Sequence, residues 1–375
     1  MMNNSTVQLL DLPDEMLIQI LNKLNNVDVL YSVLGVNKRL NRLACDPIFT
    51  NYLDLTTKIS KYDERCSMSN VRLDQFCSFI LLKIHHNIEC LVLESSSMER
   101  ILLTCDYPKL NKLILYSIKP ELFLNYLSND SSIAFIFKQI THLEVITIEY
   151  GNTNSQFNLN MNAYECLFSV CQRLTHLNIN AKCYRRQQCA FPSANCSSSI
   201  LIELDVNVDT IDDCLRLLDG RFNQMKSFIV KIDSIDAPLL NIDNKINLLN
   251  LTTFFLSCSQ PTEAYDEVIL PLLRRMTNME KLTLVLFVEN RPDFIDGAHL
   301  YKEILVYMPR RIHFMFNIIT INDRVDISYW LKEDDIQTRY IIDDGEPYIY
   351  CCIDYFTNGI GRCRISTLPC IQSHH

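Results

Sequence analysis

The chain has 375 residues, 48% of them hydrophobic and 21% charged, with a net charge of −9. That composition belongs to a folded protein rather than a disordered one, and the acidic balance argues against a general nucleic-acid binder. No apolar run reaches the roughly 18 residues a membrane span needs, and Met1-Met2-Asn3-Asn4 has neither the basic nor the apolar region of a signal peptide. A cytoplasmic or nuclear location away from any membrane is therefore expected. The 16 Cys are scattered among apolar positions, as at Cys77, Cys90, Cys166 and Cys214. In a reducing compartment they read as small buried hydrophobes.

The first element is a helix after Leu12-Pro13. Pro13 suits a first helical turn, Asp14 and Glu15 favour the positive end of the helix dipole, and Met16, Leu17, Ile20, Leu21 and Leu24 recur at helical spacing. Asp28 can cap a second helix carrying Leu30, Val33 and Leu34. Leu40 and Leu43 continue a third, and Asp46-Pro47 stops it. Three helices this short cannot bury all their apolar surface among themselves. Each fully buried Leu or Ile contributes roughly 1.5–3 kcal/mol, so the remaining face wants a partner or a docking place on its own chain.

The ordered steps Leu12-Pro13-Asp14-Glu15-Met16-Leu17, Ile20-Leu21, Asp28-Val29-Leu30 and Val36-Asn37-Lys38-Arg39 resemble an F-box, the short module that joins a protein to a cullin-based ubiquitin ligase. The chain departs from that pattern at Leu40, where Trp or Phe is usual, and at Asn37, where Cys or Ser is common. The resemblance spans residues 7–50. It implies a three-helix module, and a Skp-type adaptor subunit as partner. For Leu12, Pro13, Met16, Ile20, Leu21, Val33, Val36, Lys38 and Leu40 it implies adaptor contact.

From residue 51 to 322 a phrase of the form apolar-x-x-apolar-x-apolar returns. Examples are Ile88…Leu91-Val92-Leu93, Leu110…Leu113-Ile114-Leu115, Leu174…Leu177-Asn178-Ile179, Leu201…Leu204-Asp205-Val206 and Met279…Leu282-Thr283-Leu284. The period-2 alternation makes each a short strand. Helical patterns lie between them, over 73–84, 120–127, 162–174, 210–218, 264–275 and 298–308. The interval from Leu91 to Leu113 is 22 residues and from Leu143 to Leu177 it is 34, around and above the leucine-rich-repeat range of about 20–29. This alternation resembles the irregular leucine-rich repeats found behind F-boxes, although Ser96, Ile118, Lys182 and Asp209 stand where the ladder Asn is usual.

A doubly wound α/β domain also alternates strand and helix. Only 7 Gly are present, and strands such as His176-Leu177-Asn178-Ile179-Asn180 are polar at every second position, whereas strands buried on both faces read continuously apolar. One open face is what a solenoid has. The expected fold is thus α/β: an F-box over 7–50, a leucine-rich-repeat-like strand-helix solenoid over 51–322, and a β-rich C-terminal cap over 323–375. Within it, Ala181 to Ser199 reads as an exposed insertion. In the cap, Trp330-Leu331, Tyr340-Ile341-Ile342 and Tyr348-Ile349-Tyr350 read as short strands, with turns at Asp343-Asp344-Gly345 and Asn358-Gly359.

The motifs of the common hydrolases, metalloproteases and nucleotide binders are missing. His176, Cys183, Cys189 and Cys196 fit no common zinc spacing. No metal or cofactor is expected, and the chain is expected not to be an enzyme. The resulting expectation is a substrate-recognition subunit of a Skp-cullin-F-box ligase that holds an unidentified target protein. The alternatives are an F-box-like scaffold outside any ligase and an unrecognised α/β enzyme. Candidate target-binding residues are the polar strand positions His176, Asn178, Asn180, Glu203, Asp205, Lys231, Lys281 and Thr283, which alternate with buried ones.

Overall fold

The computed structural model describes residues 8–58, 65–128, 131–149, 161–183, 197–238, 246–291, 293–308, 310, 312–322, 349–355 and 360–367. The chain forms two compact units, Met1–Ile148 with Ser169–Leu174, and Glu149–Phe168 with Thr175–His375. This division falls inside the stretch expected as one array.

The first unit starts with a 3-10 turn, Leu9–Asp11, and helices α1 (Asp14–Leu21), α2 (Asn26–Val33), α3 (Lys38–Ala44) and α4 (Pro47–Thr50). The cap of α2 is Asn25 rather than Asp28: the Asn25 carboxamide oxygen accepts from the Asp28 N–H at 2.7 Å, which leaves Asp28 in the first turn. Asn37 caps α3 in the same way, accepting from the Leu40 N–H at 2.8 Å. Asp46-Pro47 ends α3 as expected and also starts α4, with Asp46 as its cap and Pro47 at the first position. Gly35, between α2 and α3, has φ +99°, a conformation that a β-carbon would strain.

There follow β1 (Tyr52–Asp54), the antiparallel pair β2 (Thr56–Lys58) and β3 (Arg65–Ser67), and α5 (Asn70–Gln75), which runs through a π-turn at Phe76–Ile80 into α6 (Leu81–Ile84). Then come β4 (Cys90–Glu94), α7 (Ser95–Leu102), β5 (Lys112–Tyr116), α8 (Pro120–Leu127), α9 (Ala134–Gln139) and β6 (His142–Glu149). Strands β1, β4, β5 and β6 lie side by side, parallel, in chain order. Two successive N–H groups at each strand start share one carbonyl of the preceding unit. Glu89 and Cys90 donate to Asn51, Asn111 and Lys112 to Glu89, and Thr141 and His142 to Asn111, at 2.9–3.0 Å.

Both faces are buried at β4 and β5, the central strands of this four-stranded sheet. Leu91, Leu93, Leu113, Leu115, Leu143 and Val145 form one face, and α7 packs against β4. On the other face Cys90, Val92, Ile114, Tyr116 and Ile146 make a second apolar cluster. Strands β2 and β3 pack against β4. The Arg65 guanidinium lies 4.7 Å from the Tyr116 ring centroid, bonds the Asp54 carboxylate and donates to Thr56 Oγ1 at 3.1 Å. The single open face expected for the whole array therefore fails here. The reason is visible in β4 and β5, which are apolar at consecutive positions.

The second unit contains most of α10 (Met161–Val170), then β7 (His176–Cys183), β8 (Glu203–Thr210), α11 (Ile211–Leu217), β9 (Ser227–Ser234) and β10 (Thr253–Cys258). A π-turn at Tyr265–Ile269 leads into α12 (Leu270–Arg274), followed by β11 (Lys281–Val288), α13 (Gly297–Glu303), β12 (His313–Asn322), β13 (Ile349–Tyr355) and β14 (Gly361–Thr367). Strands β7 to β12 are parallel and adjacent in chain order, so no topological switch point arises among them. The shared-carbonyl bonds recur: Ile202 and Glu203 donate to Thr175, Lys226 and Ser227 to Ile202, Thr252 and Thr253 to Lys226, and Glu280 and Lys281 to Thr252.

Burial alternates strictly in β8, β9 and β10. Leu204, Val206, Phe228, Val230, Phe254 and Leu256 point into the core, where the Phe228 and Phe254 rings stand 5.8 Å apart. At the far side β14 pairs antiparallel with β12, and β13 with β14. This gives the expected β-rich end. The strands and turn expected over 330–345, the turn at 358–359, and residues 184–196 of the insertion lie outside the described residues. Cys90, Cys171, Cys214, Cys258, Cys351 and Cys363 are buried thiols. Burial pushes the Cys90 thiol up to about 11 and Cys171 to about 12, so neither is a ready thiolate.

Candidate interaction surfaces

The helical module sorts its apolar residues into two sets. Leu17, Leu21, Val27, Leu30, Val33, Leu34, Leu40, Leu43 and Phe49 are buried. Leu9, Leu10, Met16, Ile20, Leu24 and Val36 are exposed. Met16 and Ile20, at 48% and 44% exposure, are four residues apart on α1 and share one stripe. Leu12 is half-buried, Pro13 and Lys38 are exposed, and Val36 is 62% exposed. Three of the nine expected adaptor residues lie differently: Leu21, Val33 and Leu40 are each only 9% exposed, within the module's own core. Helical spacing gives two apolar stripes here, and the spacing alone does not say which one faces in.

Arg39 holds the segment before α1. Its guanidinium donates to the Leu10 carbonyl and the Leu12 carbonyl, both at 2.6 Å, and to the Asp14 carboxylate at 2.7 Å. Arg42 also reaches Asp14. The Arg39 hydrogen bond, with help from Arg42, holds the Asp14 carboxyl below its ordinary range. Arg39 thus fixes the backbone that presents Leu12 and Pro13. It was not among the expected site residues, and its only sequence signal is an Arg inside the Val36–Arg39 step.

The module continues directly into the first unit's sheet. The Asn26 side chain donates to the Tyr52 carbonyl of β1 at 2.9 Å. Arg72 of α5 bonds Asp28 of α2 at 2.5 Å and stacks over Tyr31 at 4.8 Å.

The second surface is the face of β7–β12 opposite the core. Strand register sets its rows. One row reads His176, Glu203, Ser227, Thr253, Lys281, His313, and the next reads Asn178, Asp205, Ile229, Phe255, Thr283, Met315. A third includes Asn207, Lys231, Ser257, Val285 and Asn317. His176, Asn178, Glu203 and Asp205 are half-buried, while Lys231 and Lys281 are exposed. Thr283 is 3% exposed: it underlies the row rather than presenting a side chain. Asn180 belongs to β7, with its side chain outside the described residues. Sequence reasoning missed the apolar members of this face, Ile229, Phe255 and Met315, because it took only polar positions as candidates.

A separate apolar cavity of about 190 Å³ is lined by residues including Leu217, Phe222, Met225 and Leu248. None of its lining residues is titratable, so it offers no acid-base chemistry. Among the described residues no group of three or more His, Cys, Asp or Glu is placed to hold a metal, and no helix is long and apolar enough to cross a membrane.

The F-box-like family profile matches residues 9–55. That segment is an F-box-like domain, which supports an F-box protein and suggests an adaptor-binding role in ubiquitin ligases. F-box domains typically bind Skp-type adaptors. The match runs past residue 50 to take in β1. No curated protein matches the chain.

Proposed function

We propose that the chain is a non-catalytic substrate-recognition subunit of a Skp-cullin-F-box ubiquitin ligase. The F-box-like domain binds the adaptor, and the strand-helix units, acting as a degenerate leucine-rich-repeat solenoid, hold a target protein near the ubiquitin-loaded enzyme. The chain then performs no chemistry itself. It raises effective concentration and fixes geometry.

One observation carries this reading. In a domain that matches the F-box-like profile, the Arg39-held Leu12-Pro13 segment stands beside an exposed apolar stripe on α1. Leu12, Pro13, Met16, Ile20, Val36 and Lys38 are the residues we assign to adaptor contact. Leu21, Val33 and Leu40 serve it from beneath, by holding the helices that carry them. Because the domain is joined to β1 through Asn26, adaptor position is passed on to the adjoining strands without a flexible linker. Pull-down of a purified Skp-type adaptor by the full chain tests the reading. Met16→Asp with Ile20→Asp should remove the adaptor while leaving the melting transition in place. An adaptor retained by that variant would contradict the assignment.

A further inference from the structure

We propose that the adaptor-binding surface extends beyond the F-box-like domain, onto Phe79 and Leu82 of the helical segment that follows β3. The inference rests on the reading of Val36 as an adaptor contact. It adds a patch that the domain match, ending at residue 55, does not contain.

The segment from α5 to α6 lies alongside α2. Arg72 bonds Asp28 and stacks over Tyr31. Seven residues later Phe79 reaches Gly35, which is itself seven residues beyond Asp28. The two segments therefore run side by side in the same direction. Gly35 has φ +99° and no side chain. A β-carbon there would stand 3.6 Å from Cε1 and Cζ of the Phe79 ring, so the ring edge rests directly on the turn. The Asn41 carboxamide oxygen also holds this turn, accepting from the Gly35 N–H at 2.5 Å. Val36, exposed to solvent, is the next residue.

Phe79 stays 38% exposed and Leu82 53% exposed. This holds although the Phe79 ring has Gly35 at its edge and the Lys83 ammonium 3.6 Å from its centroid. Leu82 follows Phe79 by three residues, which makes the two side chains neighbours on the helix surface. Val36, Phe79 and Leu82 thus form one apolar patch that begins inside the F-box-like domain and ends outside it. Single exposed apolar side chains are ordinary, whereas contiguous apolar surface marks interaction sites. The place where the patch starts names its occupant. A partner that covers Val36 lies next to Phe79 with no other surface to cross, and on the reading above that partner is the Skp-type adaptor. Arg72 fixes α5 against α2, so the adaptor meets the patch already in place and little ordering cost is added.

The test measures the affinity of a purified Skp-type adaptor for the full chain carrying Leu82→Asp. It is joined by photo-cross-linking to the adaptor from a benzophenone-bearing residue at position 82, with position 135 as control. Phe135 is also exposed, on α9 and outside the patch. The expected result is about tenfold weaker binding, with a cross-link from position 82 and none from position 135. Leu82 is exposed, so the melting transition should stay in place. Phe79→Ser should weaken binding further, because it removes both a contact and the support of the Gly35 turn. Unchanged affinity in Leu82→Asp, or equal cross-linking from both positions, overturns the proposal. If Met16→Asp with Ile20→Asp still releases the adaptor in that case, the F-box-like reading stands without the added patch; if that variant also keeps the adaptor, the reading falls as well. Leu82→Asp that abolishes self-association and leaves adaptor affinity unchanged would give the patch to a second copy of this chain, and also overturns the proposal.

Discussion

The two units use the same backbone device, but β4 and β5 of the first and β8 to β10 of the second treat the second side of their strands in opposite ways. In the first, β4 and β5 are apolar at consecutive positions, and Val92, Ile114 and Tyr116 are buried on the face that β2 and β3 approach. In the second, β8, β9 and β10 alternate, and their non-core side chains stay half-exposed or exposed. Shared-carbonyl bonding at strand starts sets the register in both. What differs is whether a strand's second face is apolar enough to need a cover. The lesson is that a run of similar strand-helix units does not by itself promise one continuous binding face. Each strand has to be checked for its second face.

The contrast can be broken most sharply with a buried charge. Val92 is 1% exposed, so Val92→Asp should cost about 3 kcal/mol or more, the penalty for burying an unpaired charge. Ile229→Asp occupies a comparable row position in the second unit, where the side chain is half-buried, and should cost about 1 kcal/mol. Urea unfolding of the two variants checks this, and equal losses would mean that both faces are covered alike.

Next in size is the clamp on the covered face. Arg65→Ala removes both the stacking on Tyr116 and the bond to Asp54, from a side chain only 13% exposed. A loss of about 2 kcal/mol is expected, together with faster amide exchange in β2 and β3. Arg65→Lys should not restore it, because an ammonium cannot both stack and fork in this way.

The smallest effect is a pH signature belonging to the second unit. Burial, and then the neighbouring Arg291, holds His299 below its ordinary value of 6.5. Arg291 Nη2 lies 3.3 Å from His299 Nδ1, so that nitrogen accepts and the ring stays neutral. Asp266, Asp296 and Glu303 pull the other way without prevailing. The unfolded chain then binds this proton more readily than the folded one. The contribution of His299 to stability is complete above about pH 6.5 and is lost as pH falls through the lower folded value. His299→Gln should flatten the change in melting temperature between pH 7.5 and 5.5. An unchanged slope would remove His299 as its source.

Much of this architecture was legible in the sequence where chemistry is local. The Leu12-Pro13 start, the Asp46-Pro47 stop and the paired apolar positions of each strand are short-range patterns, and the strands they predict are present. Helices such as 120–127 were likewise readable from periodicity. Other elements were hidden because their causes are not local. Helix α7 begins at Ser95 directly after β4 with no turn residue between them, and is capped by the Glu94 side chain. Helix α9 lies in a stretch with no clear start signal. The β2–β3 cover depends on Arg65 reaching back to Asp54, and the Leu12-Pro13 clamp on Arg39 reaching back to Leu10, Leu12 and Asp14. Neither pairing has a spacing that periodicity can reveal. The same limit hid the burial of Leu21, Val33 and Leu40 within the helical module.

The measurement that bears most directly on the account is adaptor affinity of the full chain carrying both Leu12→Ala and Pro13→Ala, with thermal melting on the same sample. Truncating an anchor at such a contact costs about 2 kcal/mol, which is roughly thirtyfold in affinity. Pro13 is exposed and Leu12 half-buried, so the melting transition should barely move. Binding weakened at least that far with an unchanged melt is the predicted result. Unchanged adaptor binding, or a binding loss accompanied by a collapsed melt, would contradict it and leave the helical module as a structural cap on its own chain.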